Sequence, residues 1–315
     1  MRRNPRRRLV LRCSGPGWWP GFAALTVLVC AAPLLAQEAS SDSTIPSDSA
    51  AVEEPSGWDI GPPGQVYPLY LADPRRPQTN AGLLHVLSSD LNDEFGSGHV
   101  RTTLSLGGRV PVVRYTGSGV QAWEFSVEGA FFGFFDASQS LENIGWDGWY
   151  GFLFSWRFAR SWSTKLHYRH LSSHLGDEFI ERTGRDRIGY TREDFTLGLA
   201  WEPLPGATVY GEGGVGIHDG AGRQEAGYFQ FGAQYRDDDP ILWDIFDWQV
   251  GTDFQLYQED DYRPGFTVQG ALLVPMGRQG QQFRLALEYH NGRVLIGELS
   301  EFSEDYFALI FAWDF

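Results

Sequence analysis

Cysteine is nearly absent: the 315 residues contain two, Cys13 and Cys30. Both fall in a stretch read below as a leader, so the rest of the chain offers no disulfide framework, thiol nucleophile or thiolate metal ligand. Positive charge is scarce too. The formal net charge of −15 at pH 7 argues against nucleic acid as a partner and suits a surface that meets divalent cations. No hydrophobic run is long enough for a spanning helix, because the most apolar stretch, residues 21–35, has about 15 residues where roughly 20 are needed. From Thr79 onward no helical period of useful length appears. The run Gly211-Glu212-Gly213-Gly214-Val215-Gly216 therefore reads as strand glycines at a tight bend, with no helix to make it a phosphate loop.

What is present begins with six arginines (Arg2, Arg3, Arg6, Arg7, Arg8 and Arg12), then the apolar run, then Ala36-Gln37-Glu38. A basic start, an apolar centre and a small-residue exit make a secretory signal peptide over residues 1–36, with cleavage expected near Ala36. Arg7-Arg8 hints at the twin-arginine route, but that route carries folded cargo, and a membrane barrel cannot fold before it meets lipid. Val29 stands before Cys30 where a lipoprotein signal wants a small residue, which argues against a lipid anchor. Residues 37–57 are acidic and free of aromatics up to Trp58, and read as a disordered leader. Residues 58–78 carry Pro62, Pro63, Pro68, Pro74 and Pro77 and read as an irregular periplasmic segment.

From 79 to 315, aromatic-rich segments of about ten residues alternate in polarity between Gly, Asp, Asn and Pro clusters. In the last segment Phe307, Leu309, Phe311, Trp313 and Phe315 share one face; Ala308, Ile310, Ala312 and Asp314 share the other. Phe283, Leu285, Leu287 and Tyr289 likewise oppose Arg284, Glu288 and His290. The pattern is that of an all-β, transmembrane antiparallel β-barrel of about 12 strands. Its expected home is the outer membrane of a Gram-negative bacterium, and its terminal aromatic strand resembles the signal read by the barrel insertion machinery. Short connections alternate with longer acidic ones, which places the former at the periplasm and the latter outside. The expected inward faces carry Glu124, Glu128, Lys165, His167, Arg169, Glu212, Asp247, Asp253, Arg284 and Glu288. Charges of both signs in so small a barrel suggest a filled, salt-bridged interior, not an open pore.

One stretch stands apart: His170-Leu171-Ser172-Ser173-His174-Leu175-Gly176-Asp177-Glu178, at the outer end of the fifth expected strand. Period-two alternation puts His170 and Ser172 on the lipid side with Leu166 and Tyr168. If the next hairpin is centred between Glu181 and Arg182, His170 lies opposite Glu193, whose face also holds Phe195, Leu197 and Leu199. That would supply Ser172 as nucleophile, His170 as general base and Glu193 to orient the imidazole. Asp177 and Glu178, in the following loop, are candidate oxygen ligands for calcium, the one metal the sequence suggests. The plainer alternative is that polar groups at a strand's outer end reach the headgroups, where even a charge costs about 0–1 kcal/mol against roughly 2–4 at the midplane. His290-Asn291 ends another strand at the outer face and is either a ligand contact or part of an ordinary turn.

His-x-Ser on one strand completed from the next resembles the outer-membrane phospholipase A and the lipid A deacylases, which act on the lipid around them. Tyr70-Leu71-Ala72-Asp73-Pro74-Arg75-Arg76-Pro77, the His170–Glu178 stretch and the terminal strand together resemble a family of uncharacterised bacterial outer-membrane proteins carrying a domain of unknown function. That resemblance implies a barrel and imports no activity. Three functions stay open: a lipid-acting acyl-ester hydrolase with outer-membrane lipid as its partner, a small-solute channel or binding barrel, and a barrel without chemistry.

Overall fold

The computed structural model describes residues 56–220, 226–241, 245–276 and 281–314. The expected signal peptide, most of the expected leader and Phe315 lie outside them. The strands are β1 (Gly57–Ile60), β2 (Thr79–Ser89), β3 (Val100–Thr116), β4 (Ala122–Asp136), β5 (Glu142–Ala159), β6 (Trp162–Leu175), β7 (Thr191–Trp201), β8 (Ala207–Asp219), β9 (Gly227–Ile241), β10 (Phe246–Tyr257), β11 (Gly265–Pro275), β12 (Gln282–Arg293) and β13 (Ser303–Asp314). Two short helices, α1 (Asp90–Phe95) and α2 (Asp177–Thr183), interrupt them.

Strands β2 to β13 pair antiparallel with their sequence neighbours, and β13 pairs with β2, so the sheet closes on itself as a 12-stranded barrel. Closure of β2 to β13 leaves no strand edge in the twelve-stranded wall, the condition a sheet must meet to span a bilayer. The β3–β4, β5–β6 and β7–β8 turns are short; the β6–β7 and β12–β13 connections are long. The long-loop end is the outer one by the rule that governs such barrels.

Alternation puts the expected charges inside. Glu124, Glu128, Lys165, His167, Glu212, Asp247, Asp253, Arg284 and Glu288 are all buried. Several are paired with opposite charges: Arg109 Nε sits 2.7 Å from Glu128, Lys165 Nζ 2.6 Å from Glu212 and Arg169 Nη2 2.8 Å from Asp194. Apolar side chains such as Phe152, Leu166, Leu197, Leu287, Phe307 and Phe311 face outward and are exposed.

Two aromatic girdles bound that band. At the short-turn end Trp123 stacks on Trp156 with centroids 4.5 Å apart, and Trp162 on Trp201 at 5.8 Å. At the long-loop end Trp146, Tyr150, Tyr168 and Tyr289 each engage a neighbouring ring. Trp146 and Trp156 are separated by ten steps of β5, ~33 Å along a strand. At the usual tilt of about 40° that spans about 25 Å of membrane normal, the height of the apolar band in such barrels.

Residues 58–78, expected as an irregular periplasmic segment, begin in β1, which pairs with the short-turn end of β3. Beyond Ile60 the backbone is irregular and runs inside the barrel. Proline denies it a ladder, so its polar groups find partners on the walls. Tyr67 and Tyr70 share a 2.8 Å hydroxyl contact, Tyr70 donates to Glu212 at 2.7 Å, and Gln234 brackets the segment by accepting from Leu71 N and donating to Leu69 O. Arg75 then pairs with Asp147 at 2.6 Å. The segment is a lumenal strap.

Candidate functional site

Strands β5, β6 and β7 place the polar stretch within the outer girdle. On β6, Trp162, Leu166, Tyr168, His170, Ser172 and His174 share the outward face, while Lys165, His167, Leu171 and Ser173 turn inward and are buried. The ladder sets His170 against Tyr150, Ser172 against Gly148 and His174 against Trp146 on one side. On the other side His170 faces Glu193 and Ser172 faces Thr191. His170 lies over Tyr150 with centroids 5.0 Å apart and His174 over Trp146 at 4.2 Å, so both imidazoles are shelved on aromatic faces.

The sequence-derived trio is brought to one face, with one contact differing from the expectation. His170 Nδ1 donates to Glu193 Oε1 at 3.3 Å, both side chains about a quarter exposed. With Nδ1 engaged by the carboxylate, Nε2 is the nitrogen left to accept a proton. Ser172 Oγ, however, contacts His174 Nε2 at 3.2 Å. Sequence reasoning passed over His174 as a partner, although its spacing of two from Ser172 on a strand was the signal for a shared face. The serine thus has one histidine two residues before it and one two residues after.

Gly148 was also missed. It occupies the outward position directly across from Ser172, and a Cβ there would meet only Trp146, at 3.7 Å. The missing side chain opens a notch in the girdle in front of the hydroxyl, between Trp146 and Tyr150.

Asp177 and Glu178, the candidate calcium ligands, open α2 and take separate partners. Asp177 Oδ1 accepts from Arg187 at 2.7 Å, and Glu178 Oε2 from the Asn143 backbone N–H at 2.9 Å. Among the described residues no three His, Cys, Asp or Glu side chains gather as a metal would require. The residues present do not fit a calcium site, and none of the chemistry below passes through one. His290 turns inward: its Nδ1 pairs with Thr267 Oγ1 at 2.9 Å and its Nε2 donates to the Arg293 carbonyl at 3.2 Å.

A search of curated protein sequences gives no match. Among solved structures, the outer-membrane phospholipase A of Escherichia coli superposes with a TM-score of 0.53 at 11% identity, covering 75% of this chain and 93% of that one. The Salmonella typhi outer-membrane phospholipase, solved as a dimer with bound calcium, gives 0.53 at 14% identity, covering 76% and 93%. The porin NanC matches at 0.42 and 12% identity, over 76% of this chain and 100% of that one. At these identities the likeness to the two phospholipases is one of fold; the closed 12-stranded sheet with its outward apolar band places the chain in the outer membrane. Residues 34–315 match the family model described as "Protein of unknown function (DUF1207)", and the chain belongs to that family.

Proposed function

We propose that this barrel is an acyl-ester hydrolase of outer-leaflet lipid, with Ser172 as nucleophile, His170 as general base and Glu193 as the group that orients and charge-compensates the imidazole. The observation that carries the reading is the cross-strand pair of His170 Nδ1 with Glu193, on the same outward face as Ser172 and inside the outer girdle. In this scheme Ser172 Oγ attacks the ester carbonyl as its proton passes to His170 Nε2. The imidazolium returns that proton to the departing alcohol, and water activated by the same nitrogen releases the fatty acid. Ser172 must turn from His174 toward His170, a rotation between staggered wells at χ1. Catalytic contacts in a free enzyme commonly tighten when substrate arrives. The notch at Gly148 gives an acyl chain from the surrounding bilayer a route to the hydroxyl. The similar fold of a phospholipase supports the substrate class, and the signal-like leader and terminal strand support delivery to a Gram-negative outer membrane by the insertion machinery.

The test is fatty-acid release from radiolabelled phospholipid and from lipid A by refolded protein, with and without added calcium. Wild type is expected to hydrolyse one of the two. Ser172→Ala and His170→Ala should each lose the 10²-fold or more that a base or nucleophile contributes, and Glu193→Gln should fall between them and wild type. A loss on His174→Ala matching that of His170→Ala would move the base to His174. Absence of release from either lipid overturns the proposal.

A further inference from the structure

The outward wall carries a second feature on the side of the barrel opposite β6, where β11, β12, β13, β2 and β3 follow one another. Their ladders line up one outward rung: Val268 pairs with Tyr289, Tyr289 with Phe307, Phe307 with His85 and His85 with Val100. Two residues nearer the short turns, Leu287, Leu309 and Leu83 make the next outward rung. Between the two lies a furrow with a cavity volume of about 620 Å³. Its floor is formed by Leu84, Glu288 and Ala308, which are buried because they belong to the alternate face of the sheet.

Five strands spaced ~4.8 Å apart give the furrow a length of ~19 Å. Strands tilted by about 40° incline it to the membrane plane by the same angle, so it climbs ~12 Å, against ~15 Å of hydrocarbon in one leaflet. Tyr289, stacked against Phe307 in the outer girdle, sets it in the outer leaflet. These are the dimensions of one acyl chain, and lipid is what a wall in the outer membrane meets. One polar group interrupts the lining. His85 is exposed on the outward face and makes no hydrogen bond, ion pair or ring contact among the described residues. The outward histidines of β6 are both engaged, His170 with Glu193 and His174 with Ser172. A polar N–H facing hydrocarbon is costly until it finds an acceptor. At the level of the outer girdle a lipid phosphate supplies one, and its charge strengthens the hydrogen bond.

We propose that this furrow is a seat for one phosphate-bearing lipid of the outer leaflet, with an acyl chain laid between the two rungs and the phosphate accepting a hydrogen bond from His85. A lipid held in this way stays with the protein when the surrounding lipid exchanges. The seat is independent of Ser172, and either can fail without the other.

The experiment is native mass spectrometry of the refolded full chain, released from detergent micelles that contain either ether-linked phosphatidylglycerol or a dialkylglycerol with the same chains and no phosphate. Ether links resist esterases, so hydrolysis at Ser172 cannot consume the probe. The expected result is one phosphatidylglycerol retained per chain under activation that strips the micelle, with the dialkylglycerol lost. His85→Phe should weaken retention about tenfold, the loss of one charge-assisted hydrogen bond. Leu83→Trp fills the furrow and should abolish retention. Both side chains face outward, so neither change burdens the packed interior, and gel migration before and after heating verifies folding. No retained lipid, equal retention of the dialkylglycerol, or unchanged retention in both folded variants overturns the proposal.

Discussion

Lys165 is the only lysine in the chain, and its position shows how three residues on three strands depend on one another. It faces inward on β6, and Glu212 faces inward on β8, with β7 between them. Gly198 is the β7 residue paired with both. A Cβ at Gly198 would sit 3.0 Å from Lys165 Cε and 2.7 Å from the Tyr67 hydroxyl. Glycine is what lets the ammonium cross β7 to reach Glu212 and lie under Tyr70, 4.5 Å from its ring. Removing one partner of a pair this deeply buried strands the other charge, at a cost of about 3–5 kcal/mol. Lys165→Met should therefore destabilise the barrel by roughly that amount in urea unfolding, and Lys165→Met with Glu212→Gln should recover most of it. If the double variant is no more stable than the single, the pair is not what the residues contribute. Period-two alternation told that Lys165 and Glu212 point inward. It did not tell that they meet, because two strands that are not neighbours in the ladder are joined here by an absence, Gly198.

The β6–β7 connection carries the same lesson for an element. The register His170 opposite Glu193 follows from centring the connection between Glu181 and Arg182, and the ladder has that pairing. The connection itself is α2 followed by a loop, and seven helical residues are too few to leave a readable period. The loop is held by Glu298, from the β12–β13 connection, which is almost fully buried and accepts from the backbone N–H groups of Ile188, Gly189 and Tyr190 at 2.8, 2.9 and 3.3 Å. Burial raises the Tyr190 phenol above its usual range, so it stays protonated and donates to Glu259 at 3.1 Å. No sequence pattern announces a contact across more than a hundred residues. Glu298→Ala would orphan three donors, each costing about 1–3 kcal/mol if left buried. The loop should then open while the barrel stays closed. Trypsin should cut after Arg185 and Arg187 faster in Glu298→Ala than in wild type, with Glu298→Gln intermediate and circular dichroism unchanged. Equal cleavage in all three would remove Glu298 from the role of anchor.

At the scale of the whole molecule, strand count, closure and the inward charges were legible because alternation with a period of two is a local property that a closed sheet repeats twelve times. The path of residues 61–78 was not, because prolines announce where a ladder stops and say nothing of where the chain goes next. It goes through the lumen, where it fills space a pore would need. Three layers of side chains cross the interior: the strap tyrosines with Lys165 and Glu212, the Gln234 bracket on Leu69 and Leu71, and the Arg75–Asp147 pair. An ion would have to displace buried, paired charges, each costly to leave without its partner. Reconstituted in planar bilayers, the full chain is expected to insert without steady ohmic steps. Tyr67→Ala combined with Tyr70→Ala removes the two largest strap side chains and the hydroxyl that donates to Glu212, and should produce brief, salt-dependent openings. Stable open-pore conductance of the unmodified protein would show that the strap leaves the lumen, and would return transport to the leading reading. Silence in both, with insertion verified by protease protection, would mean that the wall pairs close the barrel without the strap.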